Sequence, residues 1–467
     1  MADGAPDLFL ENRTFDELTV GESASLSHLV TQRDIDLFAA ATGDVNPAHV
    51  DPAYAATDMF HHIIIHGMWG AGLISAVLGT KLPGPGTIYL GQDLRFVRPV
   101  SPGDTMTATL TVKEKKPAKG DVTLDCLCTN QRGEPVITGE AFVRAPKEKL
   151  RLPRVALPYV RIGRHDAMTA LIARAAAGAP MKTAVVFPVD AASLIGVLDA
   201  AKAGLITPTL IGPKALIEAA ATAAGLNIMG LPIVETADAH AAAIEAVMLV
   251  RSGVFALLMK GDLHTETFMH AVVDSKTGLR TPRRISHVYL MDAPDYPRPL
   301  LVTDVAINVT PTLSEKAGIV QNAIDLAHVI GIDRPRVAIL AAVETVSDRL
   351  RSTVDAAALC KMADRGQITG GVLDGPLGFD NAISESAATE KGIISLVAGR
   401  ADILLVPDLE AGNMLAKQMT FMAGAEAAGV VLGARVPIIL TSRADSAASR
   451  LASCALAVLV ARAGASA

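Results

Sequence analysis

The sequence is poor in aromatic residues, cysteine and charge. Of its 467 residues only 4% are aromatic, with a single Trp, 19% are charged and four are Cys. The net charge is -6. That balance gives no general attraction for nucleic acid or anionic lipid, so neither is expected as a partner, and an anionic substrate must be met by a local basic pocket. The apolar run around Cys454 to Val460 is far shorter than the roughly 20 residues that cross a bilayer. The opening MADGAPDLFLEN lacks the basic start of a secretory signal, so a cytoplasmic location is expected. Cys126, Cys128, Cys360 and Cys454 include one close pair, but it sits in an alternating strand pattern with no second ligand pair. They are expected to be reduced, with no metal bound. Also missing are a Gly-x-Gly-x-x-Gly loop after a strand and a Gly-Lys-Ser/Thr element, which argues against dinucleotide hydride transfer and nucleotide-triphosphate chemistry.

What is present is a 50% hydrophobic composition and a length beyond one hydrophobic core, so two or three domains are expected. Up to about residue 145 the pattern predicts helices first and strands afterwards. Leu90 to Val97, Thr105 to Lys115, Val122 to Thr129 and Val136 to Val143 alternate apolar and polar residues between Pro/Gly/Asp breaks, which predicts an antiparallel meander. Before them, His66 to Leu82 reads as one helix that is apolar on nearly every side and must be wrapped by that sheet. Residues 146–160 combine charge, three prolines and no periodicity, as linkers do. The expected division is 1–148, a linker 149–162, and 163–467. Beyond the linker, short Val/Ile/Leu runs alternate with Ala-rich helical stretches, which predicts a mainly parallel α/β sheet in two lobes with a cleft between them.

Two groups of residues stand out. Thr31 with Asp34 can cap a helix running to Ala41, and Asp51-Pro52 starts another. Between them GDVNPAH leaves Asp44 and His49 on a loop pinned at both ends. A carboxylate and an imidazole at one point supply a base for water and an acid for a carbanion. Gly67, at the start of the apolar helix, offers an unpaired N–H for a developing oxyanion. In the second half, Ser442-Arg443 ends a buried run and starts a helix, which brings backbone N–H groups, a hydroxyl and a guanidinium to one point suited to an oxyanion or phosphate. A Ser442-capped helix with Arg443 in solvent is the competing reading.

From FAAATGDVNPAHVDPAYAA through IIHGMWGAGLISAVLGTKLPGPGTIYLGQDLRFVRPVSPGDT, the first domain resembles the MaoC-like (R)-specific enoyl-CoA hydratases. The resemblance implies a hot-dog fold, an antiparallel sheet around a buried helix. It also implies Asp44 and His49 as the catalytic pair, Ser75 as a supporting polar residue, Gly67 N–H polarising the thioester, and no metal at His61, His62 and His66. Residues 165–465, through PDLEAGNMLAKQM and LTSRADS above all, resemble the phosphate acetyltransferase and phosphate butyryltransferase family. That implies acyl transfer between CoA and phosphate in a two-lobed α/β domain. Ser442 and Arg443 would line the acyl/phosphate site, and Asp304, Asn308, Asp380 and Asn413 would shape the cleft. The family's base is an aspartate several residues beyond the Ser-Arg pair. Ser449 stands near that register, and Asp445 is the carboxylate on offer.

The expectation is therefore a bifunctional enzyme that adds water to trans-2-enoyl-CoA to give (R)-3-hydroxyacyl-CoA and moves acyl groups between CoA and phosphate. CoA thioesters and phosphate enter as substrates, with no tightly bound cofactor. A homodimer or larger assembly is expected, because hot-dog domains bury an edge or helix face by pairing. One alternative makes the second half a silent CoA-binding or assembly module. Another gives it metal-dependent decarboxylating dehydrogenase chemistry, which would need an acidic magnesium site and a nicotinamide site that the sequence does not show.

Overall fold

A computed structural model describes residues 8–156, 160, 166–441 and 445–465. The chain divides into two compact units, Met1–Ile162 and Gly163–Ala467.

In the first unit, strands Ser23–Leu29, Thr105–Lys116, Asp121–Thr129, Pro135–Arg144 and Ile88–Phe96 lie side by side in that order, every pair antiparallel. Only the middle three form a meander. Ile88–Phe96 does not pair with the strand that follows it but with Pro135–Arg144, at the edge. Ser23–Leu29 is a strand that precedes the helices. Its serines alternate with Ala24 and Leu26, which suits an edge strand with one solvated face. The inner face carries Met106, Ala108, Leu110, Leu124, Cys126, Cys128 and Ala141, all packed around helix Gly67–Thr80 through Ile74, Val77 and Leu78. Each of these larger side chains contributes about 1.5–3 kcal/mol on burial. Wrapping is incomplete. Met68, Gly72, Ser75 and Gly79, spaced four, three and four residues apart, leave one exposed stripe on the helix.

Part of the expected linker is a strand instead, since Arg151–Pro153 pairs with Phe9–Glu11. Asn12 supports this return by donating its carboxamide to the carbonyls of Pro85 and Glu148, at 3.1 and 2.8 Å.

The second unit is built on one sheet of eleven described strands. Ile233–Glu235, Ile206–Gly212, Met181–Val186, Leu257–Lys260 and Ile438–Ile439 are parallel. So are Leu300–Thr303, Ile403–Leu405, Arg336–Leu340 and Val372–Leu377. Glu426–Leu432 and Ser286–Asp292 join the two sets by antiparallel pairing. The expected lobes are thus two halves of one continuous sheet running in opposite directions, and their strand C-termini leave by opposite edges.

Helix Ala447–Ala465 is long and apolar enough, by length and composition, to cross a membrane, which the reading of Cys454 to Val460 alone did not foresee. Here it is a core helix, with Ala452, Cys454, Leu456 and Val458 fully buried against the sheet. The four cysteines are free thiols, and burial pushes each of them up to about 12.

Candidate active sites

The loop between the first helices is fixed by local sequence. Helix Gln32–Thr42 begins with a reciprocal capping box between Thr31 and Asp34 and ends on left-handed Gly43. The chain then turns through Asp44, whose N–H donates to Thr42 Oγ1 and whose carboxylate accepts the Asn46 N–H, at 3.2 and 3.3 Å. Pro47–Val50 is a single helical turn capped by the Asn46 side chain, where the sequence suggested open loop. It carries His49. Asp51 caps the next turn, Pro52–Ala55, through the N–H groups of Ala53 and Tyr54.

His49 Nδ1 lies 2.9 Å from the carbonyl oxygen of Ile64. A carbonyl only accepts, so Nδ1 carries the proton and Nε2 presents its lone pair. His66, 2% exposed, places Nε2 at 2.9 Å from the Asp44 carbonyl and its ring 4.0 Å from that of His49. Donor atoms of Asp44, His49 and His66 all lie within 4.8 Å of one another. Gly67 opens helix Gly67–Thr80, where its N–H has no acceptor within the helix. A β-carbon on Gly67 would stand 3.1 Å from the Phe96 ring, so the missing side chain keeps the amide accessible. His49, His66 and Gly67 open on a cavity of about 290 Å³ whose walls include Phe60, Ile64, Phe96 and Ile137.

Asp44, His49 and Gly67 are therefore brought together. Ser75 is not. It lies two turns beyond Gly67, about 12 Å along the axis, on the exposed stripe and outside that cavity. Sequence reading gave His66 no role of its own. Its approach to a residue 22 positions earlier left no local signal.

In the second unit, Asp304 and Asn308 lie on the turn after strand Leu300–Thr303, and Asn413 reaches that turn from helix Leu409–Ala423. Buried Asp304 accepts N–H bonds from Ala306 and Ile307 at 2.9 and 3.0 Å and one from the Asn308 carboxamide. Burial pushes its carboxyl up, against these donors that favour the charge. Arg284 Nε donates to Asn308 Oδ1 at 2.6 Å, and Asn413 Nδ2 donates to the Val305 carbonyl at 3.2 Å. Asn308 and Arg284, with Arg280 and Arg283, line a cavity of about 1030 Å³. Glu266 and Glu315 share its lining, and Arg284 pairs with Glu315 at 2.8 Å and Arg283 with Asp325 at 2.7 Å. Asp380 belongs to a different, exposed cluster with Lys391 at 3.4 Å, where Lys391 also meets Glu344 at 2.7 Å.

Ser442 and Arg443 lie outside the described residues. The residues around them converge at the other edge of the sheet, where Lys260, Asp262, Thr441 and Arg450 meet the start of helix Ala191–Lys202. Lys260 and Arg450 are cationic groups to which the sequence alone assigns no role. Asp445 is half-buried. Burial first, and then the Asp445 carboxylate, pushes the Tyr289 phenol up. Ser449 is buried and accepts the Ser446 hydroxyl at 3.1 Å.

Two family models match the chain, one described as "Phosphate acetyl/butaryl transferase" over residues 238–458 and one as "MaoC like domain" over residues 19–126. A phosphate acetyltransferase of Rhizobium meliloti is 60% identical over 291 residues, covering 62% of this chain and 92% of that protein. A branched-chain phosphotransacylase from Enterococcus faecalis is 29% identical with a TM-score of 0.53, covering 60% of this chain and 99% of the other. The R-hydratase PhaJ1 from Pseudomonas aeruginosa is 48% identical with a TM-score of 0.32, covering 33% of this chain and 99% of the other.

Proposed function

The chain belongs to the phosphate acetyl/butyryl transferase family and carries a MaoC-like domain ahead of its transferase domain, and from that premise we propose that its first unit hydrates enoyl-CoA thioesters. The observation that carries this reading is the 2.9 Å approach of His49 Nδ1 to the Ile64 carbonyl, from which the tautomer follows. With Nδ1–H held by the Ile64 carbonyl, Nε2 is left as a base, the Asp44 carboxylate lies close to the imidazole, and His49 shares one cavity with Gly67. Water loses a proton to this pair as its oxygen bonds the β-carbon. The electrons of the double bond move toward the thioester oxygen, where the Gly67 N–H meets the growing charge. Return of a proton from the pair to the α-carbon completes the addition and regenerates both groups.

The purified 467-residue chain is expected to consume the conjugated double bond of crotonyl-CoA. Asp44→Asn and His49→Ala are each expected to lower the rate by about 10²-fold or more, with unchanged thermal melting. Near wild-type rates in both variants refute the assignment. The three donor atoms lie close enough to invite a cation, but the acid–base step uses none. Chelator treatment is therefore expected to leave hydration unchanged, and a loss restored by a divalent metal contradicts the acid–base account.

In the second unit, phosphate acyltransferase chemistry joins a phosphate oxygen to the acyl carbon as the carbon–sulfur bond breaks and the thiolate leaves to be protonated. Acetyl and butyryl groups are the chains to test. Phosphate-dependent thiol release from acetyl-CoA or butyryl-CoA is expected, and none above blank with several acyl chains sinks this half.

The exposed stripe Met68, Gly72, Ser75, Gly79 and the apolar edge residues Ile88 and Leu90 suit a second copy of the hot-dog domain. Nothing lies within 4 Å of a β-carbon at Gly72 or Gly79, so a partner helix can approach closely. Light scattering on the eluted protein is expected to give a homodimer or larger, and a monomer refutes it.

A further inference from the structure

His66 has a side chain that the acid–base step does not consume. It is the N-cap of helix Gly67–Thr80, yet its side chain makes no capping bond. The ring instead turns back toward the loop and sits between Phe38, 4.9 Å away, and His49, 4.0 Å away. Because the Asp44 carbonyl can only accept, Nε2 carries the proton of the 2.9 Å bond, which leaves Nδ1 as a lone pair. Nδ1 is buried with no partner. A phenylalanine or leucine would fill this space without burying an unpaired nitrogen, so packing alone does not account for histidine here.

What the histidine adds is a donor aimed at the main chain of Asp44. Asp44 is then held at its N–H by Thr42, at its carboxylate by Asn46 and at its carbonyl by His66. The same ring backs His49, and the peptide bond that follows His66 supplies the Gly67 N–H. We infer that His66 is a positioning residue of the hydratase site, one side chain that sets the carboxylate, the imidazole and the amide donor relative to one another. This rests on the hydratase reading above.

The test uses the full chain with His66→Phe and His66→Gln, and His66→Leu where Phe disturbs melting. Phe keeps the ring contacts and removes the donor. Crotonyl-CoA hydration by that variant is expected to lose kcat by about 10- to 100-fold with KM within about threefold, the pattern of misplaced rather than missing groups. Gln reaches the Asp44 carbonyl with an amide N–H and is expected to recover kcat to within about threefold. Hydrogen exchange of the amides of residues 44–49 provides an arm independent of substrate, with faster exchange expected in Phe and wild-type exchange in Gln. A folded Phe variant with unchanged kcat, or equal losses in Phe and Gln, overturns the inference. If wild-type protein hydrates no crotonyl-CoA, the substrate reading fails and exchange decides. Loosening in Phe that Gln reverses then sustains the positioning role, and unchanged exchange overturns it.

Discussion

His287 lies fully buried in the central strand Ser286–Asp292 with neither ring nitrogen hydrogen-bonded and its ring edge-on to Tyr289 at 4.6 Å. Burial drives its pKa from 6.5 down to about 3. A histidine depressed in the fold binds its proton more readily once unfolded, so its effect on stability is absent above about pH 6.5 and becomes unfavourable as pH falls toward the folded value. From pH 6.5 to about pH 5 the second unit is expected to lose about 2 kcal/mol on this account. Urea melts at the two pH values check this, and His287→Leu should flatten the difference. An unchanged pH dependence in that variant contradicts the account. At this scale the sequence displayed Asp44, His49 and Gly67 because a proline-bounded loop and a helix start are local features. His66 and the arginines at 280, 283 and 284 stayed hidden, since their meaning depends on neighbours brought close only by the fold.

Helix and strand boundaries follow from capping and alternation, and those of helix Gln32–Thr42 and of the four strands between Ile88 and Arg144 were legible to within about two residues. The Thr31–Asp34 box starts the first helix as expected, the helix runs to Thr42, one residue past the expected Ala41, before its cap Gly43, and Thr31→Ala is expected to cost about 1 kcal/mol in a urea melt of the first unit. Strand order was not legible, because pairing of Ile88–Phe96 with Pro135–Arg144 spans some forty residues and leaves no mark in alternation. One residue does register it. Gly139 adopts a φ of +150°, and a β-carbon there would overlap the Asp93 carbonyl of the neighbouring strand. Gly139→Ala is expected to destabilise the unit by about 2 kcal/mol or more, and a neutral melt would show that the edge strand tolerates displacement. The exposed stripe on helix Gly67–Thr80 likewise escaped the reading of a wholly wrapped helix. Composition gives the apolarity of a helix face, but not whether the covering surface comes from its own chain.

Across the whole molecule, the change from alternating strands to βα units after about residue 145 announced two folds in one chain. Each fold offers its own candidate site, a carboxylate and an imidazole close to a helix N-terminus in one and a concavity lined by arginines and glutamates in the other. The single eleven-stranded sheet was less legible than its halves, because the two antiparallel strands that fuse them read locally like any other buried run. The opposite directions of those halves also divide the expected transferase residues, with Asp304, Asn308 and Asn413 at one edge and Asp445 at the other. Two independent active sites in one chain is the central claim. Its most direct test is Asp44→Asn in the two-domain chain, assayed in one preparation for crotonyl-CoA hydration and for phosphate-dependent release of CoA from acetyl-CoA or butyryl-CoA. The account predicts hydration lost by about 10²-fold or more with thiol release unchanged, and an undiminished hydration rate, or the loss of both activities in a protein that still melts normally, would contradict it.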